Sequence, residues 1–184
     1  MNTQADALRG LIEGSVHGSD ATGPRQELLS FRIEEEEYAV DILRVREIRG
    51  WGPVTRIPRM PDYVRGVLNL RGAIVPVIDL RMRFGLEPLE YGPTTVVVIL
   101  HVEAEDRVQD IGVVVDAVSD VYAVDPGRIQ PPPEFGTHLD AGFLKGLISQ
   151  NDHLIIVVDV DRVLDTRTLA SAASASEATA VATD

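Results

Sequence analysis

Cysteine is absent from the sequence, which excludes disulfide frameworks, thiolate nucleophiles and cysteine-ligated zinc or iron–sulfur centres together. A reducing cytoplasm is compatible with that. Long apolar runs are missing too: Met1 to Arg25 holds no signal-peptide core, and later runs such as Val96 to Leu100 are too short to cross a bilayer. The expectation is a soluble, unexported chain with no direct membrane insertion. Basic residues are outnumbered, 17 Lys and Arg against 29 Asp and Glu, leaving a formal net charge of −12. Such a surface repels phosphate backbones and anionic lipid, so no nucleic acid is expected as a partner. The partners are expected to be proteins.

A chain of 184 residues is long enough to bury a core without staples. The composition divides it into three parts. Residues 1–25 mix Gly, Ser, Asp, Ala and Thr with few large apolar side chains, and the tail from about Thr168 is almost wholly Ala, Ser, Thr and Glu; both ends, 1–25 and 166–184, are expected to be disordered. The folded domain is expected over 26–165. A helix over Leu164 to Ala173 is opposed by its Ser and Thr content and by the missing apolar stripe.

Inside the domain the period is close to two. Leu29, Phe31 and Ile33 alternate with Leu28, Ser30 and Arg32, and β-branched residues dominate the later segments. The run Glu34 to Glu37 falls where a hairpin turn is expected, which favours a solvated turn over a metal site. A second hairpin is expected around Leu70-Arg71-Gly72-Ala73, where Gly72 can supply a positive φ. Pro76 lies in its return strand, which places that strand at an edge or the proline at a bulge. Val96 to Leu100, Ile111 to Val115 and Leu154 to Val158 are continuously apolar and should be buried on both faces. One open sheet would not do that; two small barrels packed on each other would. Helix is expected only as short turns at Met60–Val64, Leu80–Phe84 and Asp161–Leu164, the first and last opened by Pro61 and Asp161.

Reaction chemistry is scarce. His17, His101, His138 and His153 show no metal-ligand spacing and are expected at the surface. Asp116, Asp120, Asp159 and Asp161 come after apolar runs and could be imagined as a divalent-cation or hydrolytic site, although strand ends commonly carry Asp to satisfy turns and start helices. There is no phosphate loop, G-x-S-x-G elbow or H-E-x-x-H pair, so the chain reads as a binding module with no catalytic residue and no cofactor or metal.

Certain words are more specific: Tyr38-Ala39-Val40-Asp41-Ile42-Leu43-Arg44-Val45-Arg46-Glu47-Ile48, then Arg65-Gly66-Val67-Leu68-Asn69-Leu70-Arg71-Gly72 continuing to Arg81, then Gly112 to Val121, then Ile129-Gln130-Pro131-Pro132-Pro133-Glu134-Phe135. In this order and spacing, over about Glu27 to Leu164, they closely resemble the CheW family of chemotaxis coupling proteins. The resemblance implies an all-β fold of two five-stranded SH3-like barrels sharing an apolar core. It also implies a non-enzymatic, cytoplasmic adaptor that couples the cytoplasmic tips of transmembrane chemoreceptors to the regulatory domain of a CheA-like histidine kinase in membrane-associated arrays. A CheW-like adaptor of another pathway, serving surface motility, development or second-messenger output, is the alternative.

By the same resemblance Val45, Glu47, Gly66 and Arg71 match receptor-coupling positions, and Gln130, Glu134 and Phe135 a kinase contact. Glu47 and Arg71 could equally pin two segments as a salt bridge, and Gly66 could serve only to allow close backbone packing. Three successive prolines, Pro131 to Pro133, pre-stiffen the second segment, and Phe135 offers an aromatic anchor. Gln130 departs from the basic residue some relatives carry. The acidic stretch Glu103 to Asp106 looks like a lengthened hairpin loop.

Overall fold

The computed structural model describes residues 23–104, 107–132 and 141–165. The expected tails therefore lie outside the described residues, apart from 23–25, as do Pro133, Glu134, Phe135 and the tip of the acidic loop. Among the described residues the chain runs β1 (Gln26–Ile33), β2 (Glu36–Asp41), β3 (Val45–Gly50), β4 (Val64–Leu70), β5 (Ala73–Asp79) and the one-turn helix α1 (Leu80–Arg83). It continues β6 (Val96–Ala104), β7 (Arg107–Val115), β8 (Ala117–Val124), β9 (Leu144–Gln150), β10 (His153–Val158) and the one-turn helix α2 (Val160–Val163).

The strands form two five-stranded sheets, in the orders β8-β1-β2-β10-β9 and β3-β6-β7-β5-β4. Each is built from both halves of the chain. The β1–β2 hairpin joins β8, β9 and β10, while the β6–β7 hairpin joins β3, β4 and β5. The two halves, β1 to α1 and β6 to α2, thus repeat one plan and exchange hairpins. The junctions match: β10 lies parallel to β2, and β5 lies parallel to β7. In each sheet one bridge links the last strand to the segment leaving the first, Thr55 with Val67 and Gln130 with Leu147, which wraps the sheet round on itself.

This wrapping produces three apolar clusters. One contains Leu28, Ala39, Ile148, Ile155 and Val157 inside the first sheet; another contains Val75, Val77, Val97, Ile99 and Val114 inside the second. The largest lies between them and draws on both, including Phe31, Tyr38, Ile78, Val98, Ile111 and Val113. Strands such as β6 face their own interior on one side and this shared core on the other, so Val96 to Leu100 and Ile111 to Val115 are buried throughout, as expected. Leu154 is the exception, 60% exposed at the start of β10. The same geometry corrects the expected alternation in β1: Leu28 and Ser30 are buried as well as Leu29, Phe31 and Ile33, because one face of β1 meets the first sheet's own cluster at Leu28 and the other the shared core.

Pro76 needs a second correction. β5 is an inner strand, between β7 and β4, and the irregularity in its pairing falls on the β4 side between Val64 and Gly66. The proline is tolerated because β7 pairs only with Val77 to Asp79, which leaves the first half of β5 a local edge. The short helices start at Asp79 and Asp159, whose carboxylates accept from the amides of Met82 at 3.1 Å and Arg162 at 3.2 Å. Asp161 is therefore inside the first turn and does not open it. Met60 to Val64 forms a turn closed by the Val64 amide on the Pro61 carbonyl at 2.9 Å, without becoming a helix.

Candidate interaction site

Strands β3 and β4 are the two ends of the second sheet, and the residues matched by resemblance gather along the seam between them. Val45 and Glu47 lie on β3, Gly66 lies on β4, and Arg71 lies in the β4–β5 turn. That turn is tight because Arg71 and Gly72 both adopt positive φ, 51° and 91°, while the Asn69 side chain accepts from the Gly72 amide at 2.8 Å. Arg71 is thereby projected across the seam, and its Nη2 comes 2.8 Å from Glu47 Oε2. Both alternatives posed for this pair are compatible with the geometry. The Arg71 side chain is 74% exposed and available to a partner, whereas the Glu47 side chain is only 25% exposed, on a residue paired with Ile99 across the sheet. The contact is an ion pair without the alignment of a hydrogen bond.

Gly66 is explained by packing. Its φ is 143°, and a Cβ there would collide with the Thr55 carbonyl, whose peptide lies against β4 at the closing bridge. Val45 packs partly buried against the shared core. Close by, Leu43 stands 86% exposed on a single turn whose amide is held by Asp41 at 2.9 Å.

Gln130 occupies the corresponding seam of the first sheet, where it exchanges backbone hydrogen bonds with Leu147, each 2.8 Å long. Gly146 plays the part of Gly66 there: a Cβ would lie 2.6 Å from the Gln130 carbonyl. Glu134 and Phe135 lie outside the described residues.

Two ionic clusters tie the sheets together, and sequence reasoning missed both. In one, Arg81 of α1 donates to Glu34 Oε1 at 2.8 Å in the β1–β2 turn and also to Asp116 between β7 and β8. Asp116 accepts the Glu34 amide as well, at 2.8 Å. Burial opposes the Arg81 charge, but Asp116 and Glu34 overcome it and hold its pKa above the usual value. In the other, Asp161 of α2 accepts from Arg44 Nη2 and from the Glu103 amide, both at 2.8 Å. Each cluster joins one sheet's helix to a hairpin end of the other sheet, with the charges reversed.

The imagined carboxylate site is not assembled. Asp159 caps a helix, Asp116 and Asp161 serve the two clusters, and Asp120 accepts from the neighbouring Val121 amide. Among the described residues no group of three potential ligands could hold a metal ion. The Glu34–Glu37 run divides between turn and strand, with Glu34 paired to Arg81 and Glu36 accepting the Tyr38 hydroxyl at 2.6 Å. His153 is exposed as expected, while His101 is half-buried against Asp110 at 3.0 Å. Among the described residues no helix is long and apolar enough to cross a membrane.

Two interlocked five-stranded sheets, each closed by a bridge at its seam, define an all-β protein, with the Glu47–Arg71 ion pair on the seam of the second sheet. The family model for the CheW-like domain matches residues 27–168. The chain is 44% identical over 163 residues to a chemotaxis protein CheW of Klebsiella aerogenes, covering 89% of this chain and 95% of that protein. It is 40% identical over 142 residues to a CheW of Rhizobium meliloti, covering 77% and 89%. The crystal structure of the scaffolding protein TtCheW from Thermoanaerobacter tengcongensis superposes with a TM-score of 0.70 at 32% identity, covering 80% of this chain and 93% of that one. The chain belongs to the CheW family, and its role is that of a chemotaxis scaffold.

Proposed function

We propose that the protein bridges the cytoplasmic tip of chemoreceptors and the regulatory domain of a CheA-like histidine kinase, without turnover of its own, in the cytoplasm beneath membrane-bound receptor arrays. The folded unit is 26–165, with 1–25 and 166–184 as appended tails. The observation that supports this reading is the distance in the fold between the receptor-matched residues and Gln130, the described member of the kinase-matched set. Val45, Glu47, Gly66 and Arg71 run along the β3–β4 seam, whereas Gln130 sits on the β8–β9 seam of the other sheet. Two partners can then be held at once without sharing a surface.

On the receptor side, Arg71 supplies an exposed charge that orients a partner, and Glu47 holds it in place. On the kinase side, Gln130 leads into the proline-stiffened segment bearing Glu134 and Phe135, which loses little entropy on docking. An adaptor of this kind alters kinase output by positioning its partners and linking their conformational equilibria.

Reconstitution tests the proposal. With cognate kinase and a receptor fragment, the full chain raises receptor-dependent kinase activity, and Arg71→Glu weakens that response while the thermal melting curve stays in place. Kinase activity indifferent to the added protein would refute it.

A further inference from the structure

The two ionic clusters occupy equivalent places in the repeated plan. Arg81 and Asp161 are eighty residues apart, as are the helix-capping Asp79 and Asp159 and the seam glycines Gly66 and Gly146. One cluster is deeply set, with the Arg81 side chain 8% exposed. The other is looser: the side chains of Arg44 and Asp161 are 25% and 32% exposed. It lines a cavity of about 190 Å3 that also includes Asp41, Lys145 and Asp159. Arg44 adds a 3.3 Å contact to Glu103 and a hydrogen bond to the His101 carbonyl at 3.3 Å, both on β6.

Its position matters most. Arg44 immediately precedes Val45, the first residue of β3, and Asp161 lies on the helix after β10, the strand paired with β9. The Arg44–Asp161 ion pair, seconded by the Glu103 amide on Asp161, therefore connects the start of β3 to the helix that follows β10, the strand beside β9. We propose that Arg44 and Asp161 are positioning residues that couple the two seams, so that occupation of the Gln130 seam is felt at Val45 and Glu47. This inference rests on the two-partner reading of the seams. Arg81 fixes how the sheets pack; the more open Arg44–Asp161 pair, beside a cavity, is the one with room to rearrange.

Coupling is a ratio of affinities and can be measured apart from stability. Receptor-fragment binding to the full chain would be titrated with and without saturating kinase regulatory domain. For the unaltered protein the ratio of the two affinities is expected to be about fivefold or more. In Asp161→Asn and Arg44→Met, and in the two combined, it is expected to fall toward one, while each partner alone binds within about threefold of normal and the melting curve is little changed. The double variant should be no worse than either single one, since both remove the same link. As a second readout, amide exchange across Val45 to Gly50 should respond to the kinase domain in the unaltered chain and not in Asp161→Asn. A coupling ratio that survives both substitutions, or that is already one in the unaltered chain, overturns the inference. Failure of the unaltered chain to bind either partner would instead overturn the adaptor reading, and this inference with it.

Discussion

Gly66 carries one of the sharpest local constraints in the fold. Any side chain at that position meets the Thr55 peptide and must also adopt a positive φ. Gly66→Ala is therefore expected to cost on the order of 3 kcal/mol, read as a lowered denaturant midpoint. A variant that loses receptor coupling with no loss of stability would show direct contact instead. Tyr38 gives a pH signature. Burial first, then its hydrogen bond to Glu36, raises the hydroxyl pKa well above the usual tyrosine value, and Tyr91 is shifted upward in the same way by burial and Asp79. A raised folded-state pKa contributes stability that is fully present below the unfolded value, near 10, and is lost as pH rises beyond it. Unfolding free energy should hold from neutrality to about pH 9 and decline above about pH 10, with a shallower decline in Tyr38→Phe. An equal slope in both proteins would contradict this.

At the scale of elements, the tight turns and buried runs were legible, because turn chemistry and continuous β-branched stretches are local signals. Gly72 and the Val96–Leu100 run behaved as their sequence suggested. Pro76 met its expectation only locally, at an edge within an inner strand, since whether a strand has an edge depends on where its parallel partner stops, and the residue paired with Val77 is Gly112, far along the chain. Arg81 was hidden for a similar reason: its partners Glu34 and Asp116 are 47 and 35 residues away. Removing it leaves two carboxylates facing each other at the junction of the sheets. Arg81→Met should destabilise by about 2–3 kcal/mol, a loss moderated by the partial exposure of Asp116 and Glu34, and the denaturation midpoint measures it. A loss below about 0.5 kcal/mol would show that apolar packing alone sets the junction.

For the whole molecule, the sequence was legible as a β-rich chain, and the family words pointed to the double-sheet plan. The internal repeat was not read. Its traces are few, an apolar pair and then a capping aspartate in Val77-Ile78-Asp79 and again in Val157-Val158-Asp159, because helix caps and seam glycines constrain single residues while apolar positions accept many substitutes. Hairpin exchange between repeats makes each sheet, and so each seam, depend on strands from both halves of the chain. Of the candidate site, the β3–β4 residues were legible only through resemblance; no local pattern distinguishes an interacting Arg71 from an ordinary turn residue.

The central claim is that separate seams hold separate partners. Light scattering on size-fractionated mixtures of the full chain with kinase regulatory domain and receptor fragment tests it directly. A single species containing all three polypeptides is predicted, with Arg71→Glu losing only the receptor fragment. Mutual displacement of the two partners, or loss of both from that variant, would contradict the account.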